Sequence, residues 1–184
     1  MIMKKLLFLI ILFLLVGVHS TAAQQPSETE TAARRTEVKK LDKLVGHWKG
    51  AGWIMHGRER TNFVGTENVQ RKLDGLALMF EGRFTAKIPA TGEDKVMHET
   101  IGVLTFNPQS KIYDFNTFLA NGMSGKYDFK TVEGGWEWGF KFSQGTMRYL
   151  IKIENDTWTE TGEMMLTNGK EWMKFFEMTL KKVN

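Results

Sequence analysis

The chain has 184 residues, 25 basic against 21 acidic side chains, and no cysteine. The missing cysteine rules out disulfides, a thiolate nucleophile, cysteine-based metal or iron–sulfur sites, and a lipoprotein anchor built on that residue. Setting aside Lys4 and Lys5 leaves 23 basic against 21 acidic groups, a net charge of +2 that is scattered along the chain and too small to argue for a nucleic-acid or anionic-membrane partner.

The N-terminus reads as a secretory signal over residues 1–23. Lys4 and Lys5 form the basic region, Leu6 to Val18 the apolar run, and Ser20-Thr21-Ala22-Ala23 the small-residue exit. The run is short for a membrane span. The expectation is an exported protein, periplasmic or secreted, with no membrane association after cleavage. Residues 24–36 are polar and are expected to form a disordered linker. Residues 37–184 are expected to form one domain. It opens with a short helix, because Val38, Leu41, Leu44 and Val45 fall at helical spacing and Gly46 can stop it.

From Trp48 to Val183 about ten apolar-alternating segments follow at the 8–12-residue spacing of an all-β barrel or sandwich. Asp74-Gly75 predicts a hairpin pairing Leu73 with Leu76, which carries Glu67 and Arg71 onto the face of Phe63 and Val69. Asn107-Pro108-Gln109-Ser110 predicts a turn pairing Phe106 with Lys111, with His98 and Thr100 on the aromatic face. Later segments place Trp136, Trp138, Phe140 and Phe142 on one face, then Met147, Tyr149, Ile151 and Ile153, then Trp158 and Met164. A three-residue loop with Gly169 left-handed would bring Trp172, Phe176, Met178 and Leu180 onto one row and set Lys174 diagonally across from Glu160.

Leu41-Asp42-Lys43-Leu44-Val45-Gly46-His47-Trp48-Lys49-Gly50-Ala51-Gly52 is a Gly-x-Trp-x-Gly-x-Gly lead into a first strand. With a short helix before it and ten antiparallel strands after it, the chain resembles the calycins, the superfamily of lipocalins, fatty-acid-binding proteins and nitrobindins. More closely it resembles an exported bacterial family of unknown function with a nitrobindin-like barrel, on Glu67-Asn68-Val69-Gln70-Arg71-Lys72-Leu73-Asp74-Gly75 and Gly102-Val103-Leu104-Thr105-Phe106-Asn107-Pro108. The resemblance spans roughly residues 38–182 and implies an up-and-down barrel. Nitrobindins hold haem through a histidine near the C-terminal end of the barrel. No histidine follows His98 here, so haem does not carry over and no cofactor is expected.

A ten-stranded barrel is wide enough to keep a cavity, and apolar walls with a few convergent polar groups describe a small-ligand pocket. The candidate lining is Glu67, Arg71, His98, Tyr127, Trp136, Trp138, Tyr149, Glu160, Trp172 and Lys174. In that scheme Arg71 and Lys174 meet an acidic head group, while Glu67 pairs with Arg71 or His98 and Glu160 with Lys174. The expected function is binding of a small, largely apolar or amphipathic ligand. The alternatives are an isomerase- or lyase-like enzyme using the interior Glu and His, and a structural protein with a filled barrel. No metal site or catalytic motif stands out, and oligomeric state is not legible.

Overall fold

The structure, a computed structural model, describes residues 26–183; the expected signal segment and the first two residues of the expected linker lie outside the described residues. The rest of that linker is not extended. Helix α1 runs from Glu28 to Lys39. Ser27 Oγ accepts the Glu30 N–H at 3.2 Å, and the Glu30 carboxylate accepts the Ser27 N–H at 2.8 Å. This reciprocal cap satisfies two backbone donors that the first turn would leave unpaired, and it outweighs the segment's polarity. The apolar positions expected to form a helix over residues 37–45 instead lie at its end and beyond it. Val38 is the buried residue of α1, Leu41 follows it, and Leu44 ends a 3-10 turn at Asp42–Leu44.

Ten antiparallel strands follow: β1 Gly46–His56, β2 Glu59–Lys72, β3 Ala77–Lys87, β4 Asp94–Asn107, β5 Ile112–Leu119, β6 Ser124–Val132, β7 Gly135–Phe142, β8 Gly145–Glu154, β9 Thr157–Leu166 and β10 Met173–Val183. Each pairs with its neighbours in sequence, and β1 pairs with β10 from His47–Val183 to Ile54–Phe176, so the sheet closes on itself. Closure removes both free edges.

The β2–β3 register is the expected one, with Val69 opposite Phe80, although Leu73 to Leu76 form a four-residue connection in which Leu73 and Asp74 take positive φ. The β4–β5 register differs by two: Leu104 faces Phe115, not Tyr113. A shift of two preserves the faces, so His98 and Thr100 still point inward. The start of β10 departs from expectation. Gly169 is not left-handed, and a bulge falls between Lys174 and Phe176. Lys174 therefore sits opposite Glu163 while Phe176 sits opposite Gly162. The extra residue turns everything before it to the other face.

Burial grades from one end of the barrel to the other. At the end under α1, Trp48, Val69, Leu78, Leu104, Phe129, Trp158 and Leu180 are fully buried with Val38, Leu41 and Leu44. The Trp48 indole N–H donates to the Leu44 carbonyl at 2.8 Å, and the Tyr113 hydroxyl donates to the Glu37 carbonyl at 3.1 Å. These bonds pin the helix as a plug. At the far end the inward residues Ile54, Thr61, Phe140, Phe142, Met147, Met164 and Phe176 keep part of their surface accessible. The barrel is a cup, packed below and open above.

Candidate functional site

The wall of the cup is aromatic because bare positions alternate with rings. An ideal Cβ on Gly52 would lie 2.5 Å from Phe63 Cζ, one on Gly102 2.5 Å from Phe115 Cε2, and one on Gly162 2.8 Å from Phe176 Cβ. Rings on second-neighbour strands thus meet over the intervening backbone. Phe63 stacks on Phe176 at 5.7 Å across β1, Phe80 meets Phe115 at 5.3 Å across β4, and Tyr149 meets Phe176 at 5.8 Å across β9. Trp138 and Tyr149 lie face to face, with centroids 4.3 Å apart and planes within 9°. Tyr127 and Phe115 flank Trp138 at 5.3 and 5.5 Å.

Two carboxylates stand at the floor. Glu160 is 6% exposed, and each of its oxygens accepts an indole N–H at 3.3 Å, Oε1 from Trp138 and Oε2 from Trp158. Burial pushes its pKa up to about 7, with the two indoles pulling the other way. Glu67 pairs with Trp48 of β1 and Gly82 of β3, and its carboxylate lies over Gly82, where a Cβ would come within 2.5 Å of Oε1. Burial first, and the Glu160 charge second, push its pKa up to about 8. The pair titrates as a coupled unit around neutrality. Tyr149 is raised above the usual tyrosine range by burial and then by Glu160 and Tyr127. His98 stands at the mouth beside Phe84, ring centroids 6.0 Å apart; it keeps an exposed edge, while burial of the rest lowers its pKa.

Six of the ten residues nominated from sequence therefore line the cup: Glu67, Glu160, Trp138, Tyr149, Tyr127 and His98. Four do not. Arg71 has inward parity but lies at the plugged end, where it forms an ion pair with Asp42. Trp136 is 7% exposed in the packed lower half. The bulge in β10 puts Lys174 on the outer wall, bonded to Glu177 at 2.6 Å. Trp172 is outside too, under the Arg148 guanidinium at 3.9 Å, which also bonds Glu163 on that face. The expected pairs of Glu67 with Arg71 or His98 and of Glu160 with Lys174 are replaced by tryptophan donors at Glu160 and by no cation at all. Among the described residues no lysine or arginine is bonded to either carboxylate; Lys95, opposite the inward Ala86, is a cation on the inner face, at the rim, and no group of three His, Asp or Glu could hold a metal.

A cavity of about 1010 Å³ lies at the unplugged end and is lined from both sides of the wall, by the inward Phe63, Ala86 and Met178 and by the outward Trp53, Val64 and Thr179. None of the ten nominated residues lines it. One of its lining residues, Met178, is the cross-strand partner of Glu160. Phe63, which lines this cavity, and Met147, Met164 and Phe176, which lie on the inner wall elsewhere, were not nominated; their signal was the alternation itself, since each lies on an inward row.

No family model matches the chain, and no curated protein is similar to it in sequence. Solved structures are similar in shape. Rv2717c from M. tuberculosis superposes with a TM-score of 0.57 at 11% identity, covering 80% of this chain and 98% of the other. The S-type phycobiliprotein lyase CPES from Guillardia theta superposes at 0.56 and 8% identity, covering 82% and 97%. A protein of unknown function from Nostoc punctiforme, of the DUF3598 family, superposes at 0.50 and 15% identity, covering 78% of this chain and 49% of that one. The likeness is one of fold: this chain is a closed β-barrel of that kind.

Proposed function

We propose that this protein is an exported, calycin-like barrel that holds a small, largely apolar ligand in its cup. The observation that carries the proposal is the gradient of packing: the lower half is filled and plugged, while the upper half leaves aromatic and methionine side chains accessible around an inward opening. Leaving Phe140, Phe142, Met147 and Phe176 in contact with water costs free energy at about 25 cal/mol per Å², and an occupant removes that cost. The export part rests on the Lys4–Ala23 segment alone. A phycobiliprotein lyase with the same fold supports a small-molecule role.

The test is titration with a neutral apolar probe, retinol, followed by energy transfer from tryptophan. Trp138 is in the wall, so retinol should quench emission saturably. Arg71→Ala and Lys174→Ala should leave the affinity unchanged, because both side chains lie outside the cup. Absence of saturable quenching would sink the proposal.

An isomerase- or lyase-like enzyme is a second reading, favoured by two carboxyls on the inner face of the barrel, Glu160 and Glu67, that burial pushes up to about 7 and about 8, where one can hold a proton and the other accept one. Mass spectrometry of the ligand recovered after incubation separates the two: a binder returns it unchanged.

A further inference from the structure

We propose that the natural occupant of the cup carries a basic nitrogen, which docks on the Glu67–Glu160 pair while its apolar body lies against the aromatic wall. The inference rests on the ligand-binding reading above and goes further by fixing the sign of the head group.

Three features of the floor lead there. First, the pair is uncompensated. Buried carboxylates in a purely structural role are partnered by cations or several donors. Glu160 has two indole N–H groups, each at the long distance of 3.3 Å, and Glu67 pairs with no side-chain donor among the described residues. The lysine and arginine residues expected to serve them are outside or at the plug. Second, Glu67 is deeply desolvated yet aimed into the lumen over a bare glycine, Gly82. Any Cβ at that position would occupy the place of its carboxylate. Third, the wall beside the floor is aromatic: Trp138 is stacked on Tyr149, with Tyr127 next to them. A floor of two carboxylates beside this apolar wall selects a protonated amine over a carboxylate or phosphate, which would meet like charge there.

The titratable groups on the inner face from the surrounding strands are Tyr149 from β8, Tyr127 from β6, and His98 and Lys95 from β4 at the mouth. Burial lowers the pKa of His98, so its imidazole holds its proton less readily than usual, and Lys95 is exposed at the rim, bonded to neither carboxylate. In the empty cup the pair keeps a proton around neutrality. An ammonium ion binds the ionised form, so docking expels protons, and affinity rises as the pH climbs through about 7 and 8. Alkylamines stay protonated to about 10.4, the lysine range, so the rise belongs to the protein.

The experiment compares dodecylamine, dodecan-1-ol and dodecanoic acid, below their aggregation concentrations, with the whole chain as it is expressed. The amine should bind at least roughly tenfold tighter than the alcohol at pH 8, the increment of a charge-assisted hydrogen bond. In the Glu67→Gln/Glu160→Gln double variant this advantage should vanish while the alcohol still binds. If the double variant does not fold, the parent alone suffices: the amine-to-alcohol ratio should fall at least roughly tenfold between pH 8 and pH 5.5. Equal binding of amine and alcohol at pH 8, or tightest binding of the acid, overturns the basic-nitrogen proposal and leaves the cup standing. Failure of all three to bind defeats the cup itself.

Discussion

Replacing Glu67 by glutamine should stabilise the empty protein at alkaline pH and do little at acid pH. The side chain keeps its shape and loses only its charge. Moving this carboxyl from 4.5 to about 8 corresponds to about 5 kcal/mol against the ionised form, at about 1.36 kcal/mol per pH unit. Glu67 retains some accessible surface and part of the shift comes from Glu160, so about 2–3 kcal/mol is the working expectation. The sign follows from proton binding. The folded state holds the proton more tightly than the unfolded chain, so the parent's stability declines from about pH 4.5 upward and levels off above about pH 8. Urea denaturation at pH 5, 7 and 9, followed by circular dichroism, reads the difference directly. The variant should match the parent at pH 5 and exceed it at pH 9, with unchanged slope. A Glu67→Gln protein that is weaker than the parent at pH 9, or whose advantage does not change with pH, would refute the claim that an uncompensated carboxylate sits in the floor.

Two further outcomes test the architecture. Gly52→Ala should cost roughly 1–3 kcal/mol and loosen the cup, because the new methyl group would meet both Phe63 and the Glu177 carbonyl; the denaturation midpoint and retinol binding should fall together. Trp48→Phe removes the indole bond to the Leu44 carbonyl and leaves that buried oxygen unpaired, so it should cost roughly 1–3 kcal/mol or more and raise the rate of proteolysis within residues 26–45.

The strand order and the inward rows were legible because period-2 alternation survives errors of two residues, as the β4–β5 register shows. It does not survive an error of one. The bulge before Phe176 inserts a single residue that no local composition announces, and it alone sends Lys174 and Trp172 to the outer wall. The helix at 28–39 was legible in retrospect: Ser27 and Glu30 are the capping pair at their usual spacing, but the segment has little apolar periodicity to draw attention to it. The Glu67–Glu160 pair lies between these cases. Alternation put both on the inner face. Their common height depends on how ten strands are staggered around the closure, and the indole bonds to Glu160 follow from that stagger and not from any pattern along the chain.

Because α1 and Trp48 stopper one end, the lumen is a blind alley. Whatever goes down it head first must back out tail first through the same doorway. A competitor cannot push the resident out from behind, so the departure rate should be independent of how much competitor is added. Residence time then depends on the rim residues near His98, Met147 and Met164 as well as on the carboxylates below, which must first release the head group. Changes at the rim alter passage through the doorway without touching the grip at the far end.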